Sequence, residues 1–366
     1  MEGASPSNTI TPKREELESA VVRFAGDSGD GMQLAGGQFT LTTAVAGNDL
    51  ATFPDFPAEI RAPVGTTFGV SAFQINFGAR NIRTIGDSLD VLVAMNPAAL
   101  ITNIKDVKAG GLLVIDEGGF GTRDLRKAGY ETDPREDGSL DAYRQLRIDI
   151  SKHTLEAVAD CEVTKKEGLR AKNMWALGLV LWMFARDKAT TVVWLEQKFA
   201  AEPAVAKANV AALNAGHIFG ETTELPTGIH PYVVPAAEIA PGTYRNITGA
   251  EAIGWGLAAG CQLSDLGMVY CSYPITPASA LLHSLSRMRQ FDVLTFQAED
   301  EIAAVCAAIG ASYGGKVGVT GSSGPGVALK TEAIGLALAA ELPLVVVNAQ
   351  RGGPSTGLPT KTEQSD

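Results

Sequence analysis

Apolar runs of four to six residues recur along this chain, most of them bounded by glycine, proline or small polar residues, with helical patterns between some of them. Such runs read as buried parallel strands in an alternation of strand and helix. The first is Ala20-Val21-Val22-Arg23-Phe24-Ala25, followed by a glycine-rich turn and a helix predicted from about Met32 to Ala46. Further strands are predicted at residues 91–95, 112–115 and 146–150. Residues 68–77 alternate in polarity, which predicts a strand exposed at a sheet edge. From about Leu169 to Phe219 the pattern turns helical, with Met174, Leu177, Leu181 and Phe184 three or four apart. The expected unit is an α/β domain over residues 19–220, finished by helices and preceded by a mobile tail at residues 1–18.

Pro226, Pro231, Pro235 and Pro241 lie close together with few helix formers around them, so residues 221–247 read as an extended linker. A second alternation of helix and strand occupies residues 248–366. Its strands include Met268-Val269-Tyr270 and Leu344-Val345-Val346-Val347, and residues 360–366 read as a loop. A parallel sheet ending this way leaves an apolar face bare, so the polypeptide is expected to continue or a partner to cover the gap.

Composition narrows the function. A length of 366 residues calls for two or more domains, and 45% hydrophobic against 19% charged residues belongs to a globular protein with a large interior. A formal charge of -11 argues against nucleic acid, whose phosphates need a basic footprint. Cys161, Cys261, Cys271 and Cys306 are scattered without a CxxC pair, and are expected as reduced core thiols of a cytoplasmic protein with no metal site of its own. No apolar run reaches the roughly 20 residues of a membrane helix.

Two stretches carry candidate chemistry at the carboxyl ends of predicted strands, where open α/β sheets bind ligands. Tyr273-Pro274-Ile275-Thr276-Pro277 offers a hydroxyl next to a helix start, with Thr276 and Pro277 expected as N-cap and first turn and the exposed amides there suited to an anion. Asn348-Ala349-Gln350-Arg351-Gly352-Gly353 offers a guanidinium on a glycine-rich loop. Together they suit a small carboxylate. Glu299-Asp300-Glu301 opens a helix whose predicted apolar stripe is Ile302, Val305, Cys306 and Ile309. Helical spacing puts Glu299 and Glu301 at its two borders, where half-burial favours the protonated acid, and spacing alone does not choose between them. Thr320-Gly321-Ser322-Ser323-Gly324-Pro325-Gly326 is a glycine-rich turn expected before a helix at residues 327–340. It has no basic residue, so phosphate-loop and dinucleotide readings fail, while its small side chains would let a flat ring approach the backbone.

This set of motifs resembles the α subunit of 2-oxoacid:ferredoxin oxidoreductases. Tyr273 to Pro277, Glu301 with Ala303-Ala304 and Gly310 behind it, Thr320 to Gly326, and Arg351 before Gly352-Gly353 match that family's pyrimidine-side domain for thiamine diphosphate. Residues 26–31, Gly26-Asp27-Ser28-Gly29-Asp30-Gly31, resemble the opening of its γ domain, fused ahead of α. That fusion order and the run from Gly357 to Asp366 are most similar to the 2-oxoglutarate subclass. The resemblance implies a γ-type α/β domain followed by a doubly wound pyrimidine-type domain that is incomplete at its C-terminus.

The resemblance also assigns roles. It selects Glu301 as the glutamate bonded to N1′ of the cofactor, gives Thr276 and Arg351 to the substrate carboxylate, and gives Tyr273, Pro274, Ile275, Ser322, Ser323 and Gly324 to the cofactor. It implies a β subunit carrying Mg²⁺ and a [4Fe-4S] cluster, an α2β2 assembly, coenzyme A as cosubstrate and ferredoxin as electron acceptor. The implied reaction turns 2-oxoglutarate into succinyl-CoA and CO₂. The same chemistry on pyruvate, branched-chain or aryl oxoacids stays open, as does a non-catalytic subunit that completes a partner's site. In the first domain Asp27 and Asp30 would repel a phosphate among the turn's amides, which leaves Arg61 as the basic candidate there. His217 and His230 have no partner spacing and read as structural or surface residues.

Overall fold

The apolar run that begins at Ala20 forms the centre of β1 (Ser19–Asp27), the strand on which the first unit is built. This computed structural model describes residues 14–57, 62–223 and 225–351. The chain forms two units, Met1–Gly242 and Thr243–Asp366. Around β1 the first unit adds β2 (Asp49–Asp55), β3 (Val70–Gly78), β4 (Leu89–Ala94), β5 (Val107–Asp116) and β6 (Arg144–Ile148). They form one mixed sheet in the order β2-β3-β1-β4-β5-β6. The β1, β4, β5 and β6 strands run parallel, while β3 is antiparallel to both β1 and β2.

The segment expected at the edge is therefore an interior strand. All of β3 is buried except Asn76, which is half-buried. Its polar positions misled because they are satisfied inside the fold: Gln74 accepts from Arg23 Nε at 2.9 Å and donates to the carbonyls of Ile85 and Gly86. The edge next to it is β2, which has no long apolar run and tolerates Pro54 because one side of an edge strand needs no ladder partner.

The helical stretch after residue 169 resolves into α2 (Lys172–Met183) and α3 (Pro203–Thr222), with a further helix at Ala189–Lys198, all behind α1 (Met32–Val45). Among the described residues α2 is buried nearly all round, which explains its apolar composition. It meets α3 at Gly178 and Gly216. A Cβ on Gly216 would strike the Trp175 carbonyl oxygen and come to 3.1 Å from Leu179 N, and one on Gly178 would strike the Leu213 carbonyl oxygen. Alanine in a helix normally gains about 1 kcal/mol over glycine, but here the clash is with backbone, which cannot rotate away. Gly216→Ala is expected to lose about 3 kcal/mol from overpacking, read as a fall of roughly 6–12 °C in the melting temperature of the first unit. A calorimetric melt that is unchanged or raised would show that the two helices separate at little cost.

The second unit carries β7 (Met268–Ser272), β8 (Val293–Gln297), β9 (Val317–Ser322) and β10 (Leu344–Asn348), all parallel in the order β8-β7-β9-β10. Its helices are α4 (Gly249–Leu263), α5 (Ser279–Leu285), α6 (Glu301–Tyr313), α7 (Gly324–Leu329) and α8 (Thr331–Ala339). Thr248 and Glu251 form a reciprocal cap at the start of α4. Ala258 and Cys261 on α4 and Leu281, Leu282 and Leu285 on α5 pack with Met268, Tyr270 and Val319 of the sheet.

Three expectations change here. The buried face of α6 is Ala304, Val305, Ala308 and Ile309, whereas Ile302 and Cys306 are exposed. Small residues face the sheet because α6 lies so near β9 that a Cβ on Gly318 would strike the Ala308 carbonyl oxygen. Cys306 is thus no core thiol, while Cys161, Cys261 and Cys271 are free and buried. The predicted helix at residues 327–340 begins earlier, with Ser323 as N-cap, and is broken into α7 and α8 at Lys330. Among the described residues no helix is long and apolar enough to cross a membrane.

Candidate active site

Because every strand of the second sheet is parallel, the turns after β7, β8, β9 and β10 all emerge at its carboxyl end. The turn after β7 holds Tyr273 to Ala278. Tyr273 is buried, Ile275 and Pro277 are half-buried, and Pro274 and Thr276 are exposed. The expected N-cap role of Thr276 fails: α5 starts at Ser279, and the Thr276–Pro277 peptide bond is cis. Ser279 closes the turn instead, its hydroxyl accepting from Ile275 N at 3.1 Å and donating to Ile275 O at 2.9 Å. Thr276 stands exposed on that turn with its hydroxyl free of the capping duty.

After β9, the Tyr273 hydroxyl and Ser322 Oγ lie 3.0 Å apart, joining the first and third turns. Burial pushes the Tyr273 phenol up to about 12, the Ser322 hydrogen bond works against the rise, and the neighbouring Glu301 carboxylate adds to it. Glu301 is the first residue of α6, after Asp300, whose side chain caps the helix by accepting from Ala303 N at 2.8 Å. Glu301 is half-buried and Glu299 exposed, so the structure separates the two glutamates that helical spacing left equal.

Gly326 shows how closely these groups converge. A Cβ there would strike the Tyr273 hydroxyl and Ser322 Oγ and stand 3.0 Å from Glu301 Cγ. Three polar side chains from three elements thus pack against the backbone of Gly326. Beside them Ser323 is buried, and its hydroxyl has no hydrogen-bond partner among the described residues. Such an orphan calls for a ligand or water to satisfy it. A half-buried carboxylate beside hydroxyls, one of them unpartnered, suits a flat heterocycle with polar edges.

The turn after β10 brings in Arg351. Ala349 N donates to Ser322 O at 2.8 Å, which ties this turn to the one after β9. Gly324 lies against it, since a Cβ there would be 3.3 Å from Gln350 Oε1 and 3.6 Å from Arg351 O. Arg351 Nε is buried and has no partner among the described residues, and its charge is felt at Tyr273. Gly352, Gly353 and the run from Gly357 to Asp366 lie outside the described residues.

Sequence reasoning missed Lys330. It is fully buried beneath this site, donating from Nζ to Thr320 Oγ1 at 2.8 Å, with Nζ 5.4 Å from the centre of the Tyr273 ring. The available signal was one cation directly after the apolar run from Gly326 to Leu329, four residues after Gly326 and so on the same helical face.

In the first unit the turn after β1 is filled by its own carboxylates. Asp30 Oδ2 accepts from Asp27 N at 2.9 Å, the Asp27 carboxylate accepts from Gly65 N at 3.1 Å, and Lys172 pairs with Asp30 at 3.1 Å. Burial raises the Asp27 carboxyl, and raises Asp116 as well. With its amides so occupied, the turn is no phosphate cradle. Arg61 lies outside the described residues. His217 is half-buried and its pKa is lowered by burial, and His230 is exposed.

Both units match models of known oxidoreductase families. Residues 21–218 match the family model of pyruvate ferredoxin/flavodoxin oxidoreductases, and residues 263–366 match the thiamine-diphosphate-binding model of pyruvate flavodoxin/ferredoxin oxidoreductases. A 2-oxoglutarate oxidoreductase subunit KorA from Mycobacterium tuberculosis is 54% identical over 97% of this chain and 54% of its own length. Subunit alpha of 2-oxoacid:ferredoxin oxidoreductase 1 from Aeropyrum pernix is 29% identical over 76% of this chain and 47% of its own. Among solved structures, the 2-oxoglutarate:ferredoxin oxidoreductase of Magnetococcus marinus, determined with 2-oxoglutarate, coenzyme A and succinyl-CoA bound, superposes with a TM-score of 0.73 at 31% identity. That match covers 96% of this chain and 55% of the other. The chain spans about half the length of these relatives.

Proposed function

The chain belongs to the pyruvate ferredoxin/flavodoxin oxidoreductase family, and from that premise we propose that it serves as the α subunit of a cytoplasmic 2-oxoglutarate:ferredoxin oxidoreductase. In this reading the enzyme converts 2-oxoglutarate and coenzyme A to succinyl-CoA and CO₂ and passes the electrons to ferredoxin. The observation that carries it is the convergence of Glu301, Tyr273 and Ser322 over Gly326 at the carboxyl end of a parallel sheet. The identity to the mycobacterial 2-oxoglutarate oxidoreductase subunit favours that oxoacid over others.

When bound, thiamine diphosphate supplies the nucleophilic carbon and the electron sink that decarboxylation of a 2-oxoacid requires. The chain's own residues orient it. Glu301 holds or shares a proton at N1′ of the aminopyrimidine, which polarises that ring. Tyr273, Pro274 and Ile275 after β7 and Ser322, Ser323 and Gly324 at the end of β9 would line the ring's site, with Gly326 making room for the Tyr273–Ser322 contact that joins the two turns. Thr276 and Arg351 take the substrate carboxylate, the guanidinium offering a planar two-pronged donor to a planar acceptor. A β partner carrying Mg²⁺ and a [4Fe-4S] cluster completes the site in an α2β2 assembly, since the described cysteines here are scattered and unpaired.

The test is dye reduction by the assembled enzyme with thiamine diphosphate, coenzyme A and, in turn, 2-oxoglutarate, pyruvate, a branched-chain oxoacid and an aryl oxoacid. Turnover is expected to be fastest with 2-oxoglutarate and to need coenzyme A. The chain purified alone is expected to be inactive and free of iron. A preference for pyruvate would move the substrate assignment, full activity from the lone chain would overturn the subunit role, and an inactive pair would favour an assembly subunit.

A further inference from the structure

Lys330 has no part in the roles assigned above, yet it is among the largest fully buried side chains of the molecule. A buried ammonium is costly unless it is paired and hydrogen-bonded. One of its three protons goes to Thr320 Oγ1, and the face of the Tyr273 ring lies 5.4 Å away, within cation–π range. The ionisable groups facing it are Glu301, Asp300 and Cys306 at the start of α6, Cys271 on β7, and Tyr273 itself. Burial lowers the Lys330 pKa to about 8, and those four charged or chargeable neighbours on α6 and β7 pull against the fall. The hydroxyl of Tyr273 in turn meets Ser322, and both border Glu301 and Gly326.

We infer that Lys330 is a positioning residue of the cofactor site, a buried ammonium that holds the Tyr273 ring and Thr320 from beneath and presents a fixed positive charge to Glu301. The inference rests on the reading of this site as one for thiamine diphosphate. Its content is that the charge, and not only the packed stem, keeps Tyr273 and Glu301 where the cofactor meets them. A neutral amine loses the cation–π contact and the attraction to the carboxylate while keeping its packing. The contribution is therefore full well below pH 8 and disappears as pH rises past the lysine's pKa.

Calorimetric titration of the assembled enzyme with thiamine diphosphate and Mg²⁺ from pH 6.5 to 9.5 tests this without using activity. Lys330→Met and Lys330→Gln both remove the charge, and the second keeps a hydrogen-bonding head for Thr320 should the first fold poorly. Each is expected to bind about tenfold more weakly than the wild type at pH 6.5, an effect within the range of desolvated cation–π and charge contacts. The ratio is expected to fall close to one at pH 9.5. A ratio that stays constant with pH would reduce Lys330 to a packing residue and overturn the inference. So would equal affinities at pH 6.5, or a wild-type affinity that does not weaken between pH 6.5 and 9.5. Failure of the wild type to bind the cofactor at any pH would instead bring down the proposed function, and this inference with it.

Discussion

Glu301→Gln is expected to leave the fold unchanged and to lower turnover by at least about a hundredfold, the loss that follows removal of a positioned proton-transfer group. That factor corresponds to about 2.7 kcal/mol of transition-state stabilisation. Glutamine keeps the shape and one acceptor, so the contacts around Gly326 survive, but it cannot hold and pass a proton. The geometry makes the prediction specific. Glu301 opens α6 with its Cγ 3.0 Å from where a Cβ on Gly326 would stand, and it acts on the Tyr273 phenol, whereas Glu299 is exposed. Glu299→Gln is accordingly expected to turn over within about twofold of the wild type, as surface substitutions usually are tolerated. Steady-state rates of both variants, with thermal melts as controls, decide the matter. Normal turnover in Glu301→Gln, or an equal loss in both, would move the acid–base role elsewhere.

What could be read in the sequence was the placement of the candidate turns at strand ends, because local pattern governs it. Strand runs at Met268-Val269-Tyr270 and Leu344-Val345-Val346-Val347 fall within β7 and β10, and the turns beyond them emerge on one side of a parallel sheet. What could not be read depended on neighbours distant in sequence. Gln74 looks like a solvent position in an alternating strand, yet Arg23, Ile85 and Gly86 satisfy it inside the fold. Ile302 and Cys306 look like core, yet the close approach of α6 to Gly318 gives the inner face to alanines. Lys330 reads as a surface cation from its composition, because the groups that make its burial tolerable, Thr320, Tyr273 and Glu301, are distant in sequence. Thr276 has the composition of a helix cap, but the turn is closed by Ser279, three residues on, which leaves the threonine exposed.

Arg351 makes the second large prediction. It follows β10 on a turn tied to β9 through Ala349 and Ser322, which sets where that turn leaves the sheet. Its Nε is buried and unpartnered among the described residues, which leaves a charged donor ready for an acceptor. A hydrogen bond to a charged group is worth about 1.5–3 kcal/mol, so Arg351→Ala is expected to raise the KM for 2-oxoglutarate by roughly ten- to a hundredfold. Arg351→Lys keeps the charge but replaces a planar fork with a point donor, and its KM is expected to rise by about five- to tenfold. The KM for coenzyme A should stay near the wild-type value in both variants, which separates a carboxylate contact from general damage to the turn. Wild-type KM values for every oxoacid in both variants would make Arg351 a loop residue only, and would leave Thr276 as the remaining candidate on this sheet edge for the substrate carboxylate.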